Sequence, residues 1–265
     1  RLRREWKNHI VPDTEATDIE DKWTDIPAAA PFFTSAFADK VFSIDQDSPK
    51  FKVNDDMAPE KMFQTNWKCA GTAVPVFSLR TEDSFGIGDF HDLKKLVDWV
   101  AATGQRVIQL LPVNDTTMTG TWVDSYPYSA NSIYALHPQF VYLPEASVRR
   151  DSSYKTLKAE LEALPELDYE RVNKEKDRLM RKAFASTWAK VSGSAEYKKF
   201  IEDNADWLDA YCAFRILLRK TGTGDSSKWG KYASYSAKKA ASVLADNREE
   251  ADYQSFVQFH LHRQL

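Results

Sequence analysis

Three stretches decide the reading of the fold: Ala73-Val74-Pro75-Val76-Phe77-Ser78-Leu79, the spaced set Leu93, Leu96, Val97 and Val100, and Arg106-Val107-Ile108-Gln109-Leu110-Leu111-Pro112. The first is a short apolar run, and Pro75, which has no N–H for a ladder, places it near a strand start or edge. The second recurs at i, i+3, i+4 and i+7, one face of a helix. The third reads as a buried strand. Gly86-Ile87-Gly88-Asp89 turns the chain into the helix, and Gly104 supplies a left-handed stop after it. Strand, helix and strand within about 40 residues form a βαβ unit, so the strands are expected to be parallel, the crossover right-handed and both faces covered.

On either side the chain changes character. Residues 1–66 hold prolines at 12, 27, 31, 49 and 59, no glycine, and aromatics from Trp6 to Phe63. Too aromatic for a free linker, they read as a lead-in segment packed on a core supplied by the rest. Residues 67–145 carry the βαβ unit and a loop after it. Residues 146–265 read as a helical insertion: 24 charged side chains fall in 151–210, against 14 in 71–150. Met180, Phe184, Thr187, Trp188 and Val191 make one helical stripe. Trp207, Tyr211, Phe214 and Leu218 make another, with Arg215, Arg219 and Lys220 toward its C-terminal end and Gly222 as its stop. The chain opens on Arg1 and stops at Leu265 inside an apolar pattern, which reads as an excerpt of a longer protein.

Composition narrows the function classes. The 265 residues are 43% apolar and 28% charged, an ordinary globular balance, and 34 aromatics exclude disorder of the whole chain. A net charge of −3 gives no attraction to nucleic acid or anionic lipid, and no apolar run approaches the length of a membrane span. Cys69 and Cys212 read as reduced thiols of a cytoplasmic protein.

Several motifs are weaker than they look. Gly86-x-Gly88 lacks the third glycine and the Gly-Lys-Ser/Thr of phosphate loops, so a tight turn is the better reading. His260 and His262, two positions apart on a helix, diverge by about 200° and cannot share a metal ion; they read as satisfied structural histidines. The basic run around 171–182 alternates with Glu and Asp and reads as a solvated helix face. No metal site is expected from these motifs.

The most informative stretch is Pro112-Val113-Asn114-Asp115-Thr116-Thr117, followed by Trp122-Val123-Asp124-Ser125-Tyr126-Pro127-Tyr128-Ser129. It lies just beyond the C-terminal end of a parallel strand, the ligand side of α/β folds. Flat aromatics beside hydroxyls, amides and carboxylates suit a sugar, which has an apolar ring face and a rim of hydroxyls. Structural packing is the other reading of the same residues, and for Asp124 a loop-holding hydrogen bond stands beside a ligand contact.

With Ala73–Arg80, Phe85–Phe90, Leu110–Thr116 and Asp124–Ser129 in this order, the chain resembles the start of the catalytic domain of the 4-α-glucanotransferases of glycoside hydrolase family 77. Asn204–Leu208, Lys228–Gly230 and Phe256–His262 are also similar, so the resemblance covers about residues 67–265 and, more loosely, Pro31–Phe42. It implies an α/β fold, here an incomplete (β/α)8 (TIM) barrel with its first strands and a large helical insertion. It also implies retaining double displacement, with the glucan segment passed to a sugar hydroxyl, and no cofactor. Malto-oligosaccharides and α-glucans are the implied partners. By motif, Tyr128 corresponds to the tyrosine that stacks on the sugar at the cleavage site. Asp124 and Ser125 flank it, Trp122 lines the acceptor side, and Asn114 and Asp115 belong to the same binding loop. The family pattern Asp-Ser-Pro-Tyr is here Asp124-Ser125-Tyr126-Pro127-Tyr128, and the extra tyrosine leaves the role of Ser125 open. No residue matches the family's catalytic carboxylates, so no catalytic residue is named and the segment alone is expected to be inactive. The other function classes in view are a non-catalytic glucan-binding module and a related α-glucan hydrolase. With barrel edges uncovered, the segment alone is expected to self-associate or to remain partly molten around residues 67–145.

Overall fold

The strand pair is as short as four residues a side. In the computed structural model, which describes residues 70–265, β1 (Gly71–Val74) lies parallel to β2 (Val107–Leu110), with Thr72 opposite Ile108 and Val74 opposite Leu110. The first strand stops earlier than its apolar run implies. Pro75 ends the ladder, and Val76–Ser78 wind into a 3-10 turn in which the Ser78 N–H donates to the Pro75 carbonyl at 3.0 Å. Neither strand is buried along its length. Exposed and half-buried positions alternate on both, which corrects the expectation of a buried second strand.

Helix α1 (Phe90–Ala102) joins them. Its start is fixed by a capping box: Asp89 accepts from the His91 and Asp92 amides at 2.9 and 3.3 Å, and Asp92 accepts from the Asp89 amide at 3.1 Å. These two carboxylates, with the Glu162 carboxylate accepting the Gly86 N–H, use the donors that a phosphate loop would need. The turn is instead a packing device. A Cβ on Gly88 would sit 2.1 Å from the Val76 carbonyl oxygen. Leu93 and Val100 face the core as the pattern requires, but Val97 is exposed beside Trp99. Gly104, at φ +74°, ends the segment.

The rest is helical: α2 (Ser152–Glu162), α3 (Tyr169–Gly193), α4 (Ala195–Asp203), α5 (Leu208–Thr221), α6 (Ala237–Ala245) and α7 (Arg248–Gln264). Gly222, left-handed at φ +67°, stops α5 and donates to Leu218. One apolar cluster unites both halves of the described region. Phe85, Phe90, Phe140 and Leu143 pack with Tyr154 and Leu161 of α2, Met180 and Phe184 of α3, and Phe256 and Leu261 of α7. The described residues, 70–265, form one compact unit. The lead-in at 1–66 and Cys69 lie outside the described residues, whereas Cys212 is a buried free thiol. No described helix is long and apolar enough to cross a membrane.

Two polar side chains depart from expectation. Lys176 sits in the run read as a solvated face, yet its side chain is 2% exposed, because it points inward to a buried carboxylate and two carbonyls. Its neighbours Arg178 and Arg181 do form the expected surface pairs, with Glu175 and Asp177.

His260 is buried against Phe256 and Phe259, and neither ring nitrogen has a hydrogen-bond partner among the described residues, so it is structural but not satisfied. Burial lowers its pKa from 6.5 to about 4, and does the same to His137. Both then contribute stability that is complete above pH 6.5 and lost as pH falls toward 4, where the unfolded imidazoles hold protons that the folded ones refuse. Asp89, raised by burial to about 6, acts in the opposite direction between pH 6 and 3.8. His260→Leu isolates one contribution. The loss of unfolding free energy between pH 7 and pH 5 should shrink by about 2 kcal/mol in urea titrations of the variant. An unchanged loss would show that the folded ring accepts a proton freely.

Candidate functional site: the loop after the second strand

The chain leaves β2 into a loop that closes on itself. Asn114 and Leu136 form an antiparallel bridge at its base, the His137 N–H donates to Val113 at 3.0 Å, and the Asp115 N–H donates to Ala135 at 2.9 Å. The Asn114 side chain reaches the Ala135 carbonyl at 3.5 Å. Two buried carboxylates, Asp115 and Asp124, hold the first part of the segment between these residues.

Asp115 is the lower one, with no exposed surface. One oxygen accepts from the Thr117 amide and hydroxyl at 3.0 and 2.6 Å. The other accepts from the Tyr211 hydroxyl at 2.7 Å and from Arg215 at 3.2 Å. Burial alone would push its pKa up. The Arg215 charge, supported by its hydroxyl donors, outweighs that and holds the carboxyl below the usual range, while the Tyr211 hydroxyl is pushed well up.

Asp124 is the upper one, also buried. It accepts backbone N–H groups from Met118, Thr119 and Gly120 at 3.0, 2.9 and 2.6 Å, and the Thr119 hydroxyl at 3.0 Å. The Thr116 hydroxyl donates to its carbonyl. For this carboxylate the structure shows the loop-holding arrangement in full. A short 3-10 turn over Trp122–Ser125 follows from it, and the Trp122 N–H is accepted by Glu170 of α3 at 3.0 Å.

Above this frame the loop presents bare aromatics. Trp122 is 69% exposed, Tyr126 59% and Tyr128 52%, with the two tyrosine rings 5.6 Å apart and tilted by 51°. Ser125 is exposed among them, and Val123, Ile133 and Tyr134 extend the surface. The structure thus sorts the six residues singled out from sequence into two groups. Trp122, Ser125 and Tyr128 lie on the outer surface of the loop. Asn114, Asp115 and Asp124 lie beneath it and bond to the chain itself. Large rigid aromatics standing in water on a hydrogen-bonded frame cost little entropy when a flat ligand covers them.

Sequence reasoning missed the residues that reach the loop from the helices. Arg215 read as a cation for the end of α5, but it turns to Asp115; with Tyr211 four residues earlier it shares one helix face. Gln258 clamps the Leu136 N–H and carbonyl at 2.9 and 2.8 Å. His137 accepts from the Gln139 amide on Nδ1, so its neutral ring donates from Nε2 to the Tyr169 hydroxyl at 2.9 Å. The available signal was a polar side chain inside each apolar stripe. A cavity of about 120 Å3 beneath the loop, lined in part by Thr117, Tyr169, Lys176 and Arg215, has room for a few waters and falls below the size of small-molecule pockets.

Comparison with known proteins places this geometry. The model of glycoside hydrolase family 77, 4-alpha-glucanotransferase, matches residues 74–265. The chain belongs to this family. The resemblance drawn from the motifs is therefore borne out. Among curated members, the 4-alpha-glucanotransferase DPE2 of Oryza sativa subsp. japonica is 32% identical over 98% of this chain and 28% of its own length. The 4-alpha-glucanotransferase of Chlamydia pneumoniae is 28% identical over 75% of this chain and 39% of its own. The chain thus spans roughly a third of the length of these family members. The amylomaltase of Streptococcus agalactiae, solved in complex with acarbose, superposes with a TM-score of 0.62 at 18% identity. That match covers 74% of this chain and 39% of the amylomaltase, a likeness of fold.

Proposed function

We propose that the complete protein is a 4-α-glucanotransferase. It moves glucose or α-1,4-glucan segments from maltose and malto-oligosaccharides to starch- or glycogen-type acceptors by retaining double displacement. This chain supplies one wall of the substrate site. The observation that carries the reading is the exposed aromatic surface of Trp122, Tyr126 and Tyr128 on a loop held by two buried carboxylates. Tyr128 stacks on the sugar at the cleavage point, Trp122 faces the acceptor, and Ser125 offers a hydroxyl between them. Asn114, Asp115 and Asp124 serve the site by fixing the loop. No residue of this chain is assigned as nucleophile or general acid/base. The parallel β1–β2 pair and the amylomaltase-like fold support reading these strands as the first of a (β/α)8 barrel. Cys212, a buried free thiol, supports a cytoplasmic location.

The test is product analysis on maltotriose with the full-length protein. Glucose together with longer malto-oligosaccharides is the expected result. Shorter sugars alone would make the protein a hydrolase, and binding without turnover would make it a glucan-binding module. The 265-residue chain by itself is expected to give no products. Its exposed Val97, Trp99 and Val107 beside a two-stranded sheet support self-association in isolation, which light scattering after size exclusion would disprove by returning a 30.3 kDa monomer.

A further inference from the structure

The lower carboxylate ties the loop frame to α5. Asp115 holds both ends of the segment that bears the aromatics. Its carboxylate binds Thr117 at the start, and its carbonyl accepts the Asn131 amide at 2.9 Å at the end. The Asn131 side chain then closes the gap by donating to the Thr117 carbonyl at 2.9 Å. Asp115 has no solvent to lean on, and the donors around it are neutral except one. Arg215, a hundred residues later on α5, is the one cation in hydrogen-bond contact with it among the described residues, and its own side chain is largely buried. Tyr211 on the same helix face donates to the same oxygen, and Gln258 of α7 approaches that hydroxyl at 3.4 Å while clamping Leu136 at the loop base.

We propose that Arg215 is a positioning residue for glucan transfer: through Asp115 it sets the geometry of the Trp122–Tyr128 surface without touching sugar. The inference rests on the proposed function, because it names the part of the helical region on which the sugar-contacting loop depends. A buried carboxylate keeps four acceptor positions only while it is ionised. With the guanidinium gone, Asp115 must either take a proton, and so give up acceptor capacity toward Thr117 or Tyr211, or stay ionised as an unpaired buried charge, which favours opening of the frame to water. The loop then loses its lower frame while Asp124 still holds the upper one. The result is a loosened, still folded segment.

Hydrogen exchange and steady-state kinetics on the full-length protein test this with Arg215→Met, which keeps the apolar stem, and Arg215→Lys, which keeps the charge. In Arg215→Met the amides of Thr117 and Asn131, which Asp115 accepts, should exchange about tenfold faster, the factor expected for losing one charge-assisted hydrogen bond, while those of Met118, Thr119 and Gly120, held by Asp124, and of α3 stay protected. kcat/KM for maltotriose should fall by about the same factor, and Arg215→Lys should restore much of both. Once corrected for the intrinsic base catalysis of exchange, the protection of the Thr117 and Asn131 amides should also become pH-dependent in Arg215→Met, since Asp115 then titrates. Should Arg215→Met fail to fold, Tyr211→Phe removes only the neutral donor and should show the same pattern more weakly. Unchanged loop exchange in a folded Arg215→Met or Tyr211→Phe overturns the proposal, as does faster exchange with unchanged kinetics. A wild type that does not turn over maltotriose would instead remove the proposed function, while the exchange arm still reads the clamp.

Discussion

Replacing Lys176 by methionine is expected to lower the unfolding free energy by about 3–5 kcal/mol, the usual cost of stripping one partner from a buried ion pair. The Lys176 ammonium donates to the Gln139 and Val141 carbonyls at 2.7 and 2.9 Å and lies 3.7 Å from Asp89. Asp89 in turn caps α1, so one side chain on α3 fastens the start of the βαβ helix and the segment that returns from the loop. Methionine fills the same space but leaves a carboxylate and two carbonyls without their cation. Asp89→Asn in the same chain keeps a capping oxygen and removes the stranded charge. The double variant should therefore recover at least about 1 kcal/mol of the loss. Urea unfolding at pH 7 measures both. A single variant costing under 1 kcal/mol, or a double variant no better than the single, would mean that water reaches the pair.

The parts of this fold legible in the sequence were those set by local chemistry. The 90–102 helix announced itself through the spacing of Leu93, Leu96 and Val100, with Asp89 before it and Gly104 after it. The parallel pairing of the two strands followed from the helix between them. Their extent did not, because Val76, Phe77 and Leu79 look the same in a strand as in a 3-10 turn packed on a core, and Pro75 decides between them only once the ladder is seen. Burial of Lys176 was hidden for a similar reason. On a charged helix every lysine has the same formula, and only the arrival of Gln139, Val141 and Asp89 from distant positions distinguishes this one.

The candidate site divides along the same line. Trp122, Ser125 and Tyr128 were readable because the loop sequence itself carries their chemistry. Tyr211, Arg215 and Gln258 lie 96, 100 and 122 residues away from the residues they hold, and the partner of a buried carboxylate cannot be chosen from spacing. His260 exposes the reverse error. A histidine on an apolar helix face was expected to find a partner, and here packing against Phe256 and Phe259 sets its place instead.

In the proposed function the exposed aromatics of the loop meet the sugar. Tyr128→Ala in the full-length protein tests it most directly. Half of the Tyr128 surface is already in water, so its removal should leave the melting temperature nearly unchanged. A ring that stacks on the sugar contributes about 1 kcal/mol or more beyond its area, and the flattened oxocarbenium-like transition state benefits at least as much as the bound substrate. kcat/KM for maltotriose is therefore predicted to fall at least about tenfold at an unchanged melting temperature. Kinetics equal to those of the wild type would contradict the claim and take Tyr128 out of the site.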